Sequence, residues 1–200
     1  MGELDALANI VDILGKFNKR KQKAREGQIS AAESAIVAQP ILPPRSPEVS
    51  FPVPGIATFG LPATFQYLNP GAYNWGRARP LVVVGEGEMW LAVMQDEGLM
   101  AELDPGFSPW TIVIQSDTFR KSTQKWGGTV VAGPTAVLLD GEKATWSAFR
   151  MMEDGKEARK WGLLAMHDGH TYELLANISL KNESSNAEAF WTAVGSWRWA

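Results

Sequence analysis

Two hundred residues, 45% hydrophobic and 20% charged, fit one globular domain with an appendage and exclude a wholly disordered chain. No apolar run reaches the roughly 18–20 residues that span a bilayer. The absence of cysteine excludes disulfide scaffolds, thiolate metal sites and cysteine nucleophiles. A formal net charge of −3 argues against a dedicated nucleic-acid binder, which carries a basic face.

Residues 1–30 read as an amphipathic helix with a basic end. Leu4, Leu7, Ile10, Val11, Leu14 and Phe17 recur at steps of three and four, which puts them on one stripe. Lys16, Lys19, Arg20, Lys21, Lys23 and Arg25 follow, and with Glu26 they give residues 16–26 a charge of +5. Such a stripe stays ordered only when it is docked on something, because helix propagation alone does not offset the ordering cost. Glu3 and Asp5 begin the chain without a basic flank, so no secretory signal is expected. The expected location is the cytoplasm, on a large complex or at a membrane face.

Residues 31–56 read as an extended linker carrying Pro40, Pro43, Pro44, Pro47, Pro52 and Pro54, a tether for the helix or, on the plainer reading, a disordered tail. Some 15 such residues at ~3.1 Å each hold the helix about 45 Å from the body.

Residues 57–200 read as an α+β domain, an antiparallel sheet packed with helices. Phe59 to Leu68 is expected as an opening strand or hairpin arm, at an edge because of Leu61-Pro62. Leu81 to Val84 and Met89 to Met94 flank a Gly85-Glu86-Gly87-Glu88 connection, and Trp110 to Ile114 is a further β signal. Ser116-Asp117-Thr118 caps a short helix from Phe119 to Lys125, which Gly127-Gly128 ends. Four strands follow (129–139, 142–152, 156–166, 171–179), turned at Asp140-Gly141, Asp154-Gly155 and Asp168-Gly169. Ala187 to Trp199 closes the chain as a helix on the sheet.

The run from Gly128 to Pro134, the Gly169-His-Thr-Tyr172-Glu-Leu-Leu segment and the closing Phe190…Val194-Gly-Ser196-Trp-Arg198 carry a family likeness. So does the entry Phe59-Gly-Leu-Pro62. In these residues the chain resembles the PsbP/DcrB-like α/β/α sandwich superfamily. The resemblance implies a compact sandwich that serves as a binding or assembly part rather than a catalyst. The chain departs from the exported members in lacking a signal or lipobox and in its N-terminal helix and linker.

Few residues offer chemistry. His167 and His170 flank Asp168-Gly169 and, with Asp168 and Glu173, are the weak candidates for a metal. The plainer reading is a polar hairpin turn with solvated imidazoles, and strand alternation sends His170 and Glu173 to opposite faces. The Gly85–Glu88 run lacks the lysine of a phosphate loop, and Ser34, Ser116 and Ser147 lie in no nucleophile elbow. The carboxylate pairs Asp96-Glu97 and Glu153-Asp154 fall in turns. No catalytic residue and no cofactor is expected.

Of nine tryptophans, six (Trp90, Trp110, Trp146, Trp161, Trp191 and Trp197) lie in apolar runs and read as core or sandwich-face residues. Trp75 and Trp126 lie among glycines and Trp199 beside the C-terminus, so these three read as contact residues. The expected function is a non-catalytic assembly subunit docking through Leu4, Leu7, Ile10, Val11, Leu14 and Phe17, with Lys19, Arg20 and Lys21 beside them. The partner is a protein. An anionic membrane surface is the alternative, a small hydrolase or metal enzyme the third reading, and nucleic acid is not favoured.

Overall fold

The computed structural model describes residues 27–72, 80–96, 108–125, 127–153 and 155–200. The chain divides into two units, Met1–Val37 and Ala38–Ala200. In the first, residues 27–34 form helix α1, whose half-buried positions Ile29, Ala32 and Glu33 fall on one stripe.

The second unit holds two antiparallel sheets. The smaller has the order β1-β2-β10, from β1 (Val49–Val53), β2 (Ala57–Leu61) and β10 (Arg198–Trp199). The larger has seven strands: β3 (Gln66–Tyr67), β4 (Pro80–Glu86), β5 (Met89–Asp96), β6 (Gly128–Leu139), β7 (Glu142–Glu153), β8 (Lys156–His167) and β9 (His170–Ile178). Their order is β3-β4-β5-β9-β8-β7-β6. Helices α2 (Pro109–Ile114), α3 (Ser116–Lys125) and α4 (Glu183–Gly195) complete the unit.

The hairpins follow from their turn residues. Asp140-Gly141 and Asp168-Gly169 all have positive φ (47°, 89°, 47° and 76°), the backbone of a two-residue type I′ connection. Leu139 therefore pairs with Glu142 and His167 with His170. Gly87, φ 60°, occupies the first position of the two-residue loop that joins Glu86 to Met89.

Strand alternation then sorts the side chains. One face of the large sheet carries Leu91, Val93, Leu163, Ala165, Leu174, Ala176 and Ile178, which form one core with Phe59 and Leu61 of β2, Phe190 and Val194 of α4, and Trp197. On the opposite face Thr145 Oγ1 donates to Pro109 O of α2, and Phe149 meets Phe119 of α3 edge-on at 6.0 Å. Helices thus cover both faces, α4 with the small sheet on one and α2 and α3 on the other. The α+β sandwich read from the sequence is the architecture found.

Four local expectations need correction. Trp110 to Ile114 is helix, not strand. Ser108 accepts a hydrogen bond from Trp110 N at 3.3 Å, and Pro109 sits in the first turn, where its missing N–H costs nothing. The segment after Leu61-Pro62 is not one strand: β2 stops at Leu61 and β3 resumes at Gln66, and β2 lies at the centre of its sheet rather than the edge. Helix α4 ends at Gly195, and Arg198–Trp199 leave it as a strand on β2. Val49–Val53, within the stretch read as linker, pairs along its whole length with β2.

Candidate functional site

The extended arm of residues 38–48 lies in a seat built by β2, α4 and the end of β6. Its prolines fix φ and set an extended path, and the body has been hollowed to receive it. A Cβ on Gly195, in the last turn of α4, would lie 2.2 Å from Pro43 N and 2.6 Å from Leu42 C. A Cβ on Gly60 of β2 would lie 2.3 Å from Pro47 Cβ. Only glycine leaves room for the Leu42–Pro43 backbone at the first position and the Pro47 ring at the second. Ile41 packs against the core, Pro40 makes an isolated parallel bridge with Leu138 of β6, and Arg45 meets Glu188 at 3.8 Å. The arm's inner end is pinned at Glu48, whose N–H donates to Leu61 O and whose carboxylate accepts from Ala63 N, both at 3.0 Å.

Ser196 clips the seat together. Its hydroxyl accepts from Gly60 N at 2.8 Å and donates to Thr192 O at 2.6 Å, tying β2 to the end of α4. Phe59 stacks on Trp197 at 5.6 Å. The Phe59-Gly60 entry and the Gly195-Ser196-Trp197 ending that suggested the family are thus two halves of one joint.

The C-terminal corner is a second constellation. Trp199 lies between two Asp-Gly turns: its indole N–H donates to Leu139 O at 3.1 Å and its backbone N–H to Asp140 Oδ2 at 3.0 Å. His167 stacks on the same indole at 4.2 Å and 10°, with Nδ1 3.4 Å from Glu142 Oε1. Tyr172 adds a third ring at 5.5 Å, and burial, then the Asp168 charge, raises its phenol pKa. Trp199 is therefore half-buried in its own fold. His167 is not the solvated turn residue expected, since its side chain is only 18% exposed.

The outer sheet face holds a row that the sequence did not single out. Lys160 is buried, donates to Asn177 Oδ1 at 3.0 Å and lies 4.5 Å from the centroid of the Trp90 ring. Asn177 in turn donates to Glu88 O at 3.1 Å. Glu88 itself has a lowered pKa because Ser179 donates to its carboxylate at 2.8 Å, with Lys181 adding its charge.

Leu4, Leu7, Ile10, Val11, Leu14, Phe17, Lys19, Arg20, Lys21, Trp75 and Trp126 lie outside the described residues. Of the sequence-named contact residues only Trp199 is placed, and the seat of the arm was missed. Among the described residues no three His, Asp or Glu side chains gather as metal ligands, and no helix is long and apolar enough to cross a membrane. The arrangement is suited to holding a chain segment.

The sandwich defines the class: an α+β fold of the PsbP-like type. LpqN of Mycobacterium tuberculosis, described as involved in cell envelope biogenesis, is similar at a TM-score of 0.50 and 13% identity over 74% of this chain and 86% of that one. Cyanobacterial PsbP (CyanoP) from Synechocystis sp. PCC 6803 is similar at 0.48 and 12% identity over 72% and 86%. At such identities the likeness is one of fold. No protein-family model matches the chain, and no curated protein does.

Proposed function

We propose that this chain is a non-catalytic assembly subunit, in which the PsbP-like sandwich is the body and residues 1–30 are the docking element. The division into Met1–Val37 and Ala38–Ala200 carries this reading. The apolar stripe Leu4, Leu7, Ile10, Val11, Leu14 and Phe17 falls, in sequence, within the first of these units, and the sandwich core is drawn, among the described residues, from Phe51 to Trp197. A stripe of that kind fits the groove of a protein partner, and the basic run beside it suits an acidic rim.

The test is co-purification of the full chain against the double variant Leu7→Asp/Leu14→Asp. The variant is expected to lose its partners while the sandwich keeps its melting temperature. Retention of every partner overturns the reading. The same basic run, and the fold shared with a protein involved in cell envelope biogenesis, support an anionic membrane surface as the alternative. Flotation with vesicles containing anionic lipid separates the two: salt-sensitive binding of the full chain, lost in the double variant, favours the membrane.

A further inference from the structure

We propose that Pro40–Pro47 is a displaceable strap, seated or released, that sets how much free chain precedes the sandwich. Seated, the strap follows the path between Leu138, Gly195 and Gly60. Released, it adds eight residues of extended chain (Pro40 to Pro47), about 25 Å of reach. The use of that reach rests on the docking reading above; the strap itself does not.

Three observations carry the proposal. The seat is a close fit at two glycines: a Cβ on Gly195 would meet the Leu42–Pro43 backbone, and one on Gly60 would meet the Pro47 ring. Beyond Ile41 and the Pro47 ring, the strap brings little side-chain surface to the contact. Leu42 is 79% exposed, and the Arg45–Glu188 pair is 42% and 45% exposed, so solvent screens it. A segment held by shape with few buried side chains belongs to the low-stability end of a fold and opens without global unfolding. Finally, the strap has a fixed hinge, because Glu48 stays bonded to Leu61 and Ala63 and β1 begins at the next residue. Proline-fixed torsions lower the ordering cost of reseating, so both states stay accessible.

The experiment is limited trypsin digestion of the full chain under native conditions, with mass spectrometry following the fragment that begins at Ser46. Two variants act on opposite sides of the contact. Gly195→Leu places atoms where the Leu42–Pro43 backbone lies, and Ile41→Ser removes the strap's packed side chain. Both are expected to speed cleavage after Arg45 at least tenfold over the wild type, with the melting temperature of Ile41→Ser within a few degrees of it. Equal cleavage in the wild type and Ile41→Ser overturns the proposal, since no seat then protects Arg45. Faster cleavage that tracks a large fall in the melting temperature of Ile41→Ser also overturns it, since the strap is then part of the cooperative core. No partner enters this test, so its failure leaves the docking reading standing, and the reverse.

Discussion

Trp199 shows how a single position changes meaning between sequence and fold. Beside the C-terminus it read as a contact residue, because terminal tryptophans are often exposed. What places it is the Asp140-Gly141 turn, which presents Leu139 O and Asp140 Oδ2 to its two N–H groups, and the Asp168-Gly169 turn, beside which His167 stacks on its indole. That convergence depends on two hairpins far apart in the chain, which local sequence does not register. Tyr172, the third ring of this corner, gives the position a pH signature. Its phenol pKa is raised from 10.0 mainly by burial, so the folded chain holds a proton that the unfolded chain gives up. Its contribution is complete below the unfolded value and lost as pH rises through the folded one. Unfolding by urea should therefore show stability falling above about pH 10, and Tyr172→Phe should flatten that alkaline limb. An unchanged limb in the variant would assign the effect to other groups.

Elements were legible where turn chemistry and alternation agree. The four-strand meander and its two described Asp-Gly hairpins lie within a residue or two of the expected ranges, because each strand is long and each turn needs positive φ. Trp110 to Ile114 departs from its strand-like sequence for the opposite reason. Its β-branched residues favour a strand, but a helix only six residues long is decided by its first turn. The Ser108 hydroxyl, Pro109 and the bond from Trp110 Nε1 to Ala144 O at 3.0 Å outweigh the local preference. Ser108→Ala should accordingly cost about 1 kcal/mol of stability, seen as a lower urea midpoint at unchanged slope. Ser108→Asp should restore it, whereas no loss in Ser108→Ala would mean that packing of Trp110 alone sets the helix. The arm's seat was invisible for a related reason. A glycine in a strand and a glycine at a helix end have ordinary uses as weak point and C-cap, and only the fold reveals that Gly60 and Gly195 face the same passing segment.

At the scale of the whole chain, the boundary at Val37–Ala38 makes a claim about cooperativity. If Met1–Val37 and Ala38–Ala200 are separate units, the sandwich should fold without Met1–Val37, since a body with its own core melts independently. A chain beginning at Ala38 keeps the arm, both sheets and the core from Phe51 to Trp197. Its thermal transition, followed by tryptophan fluorescence, is expected within about 3 °C of the full chain, because a shift of that size corresponds to roughly 1 kcal/mol for a body of this length. A much larger fall would mean that the apolar stripe from Leu4 to Phe17 is spent on the sandwich itself. The stripe would then be unavailable to any partner, and the subunit reading would fail at its root.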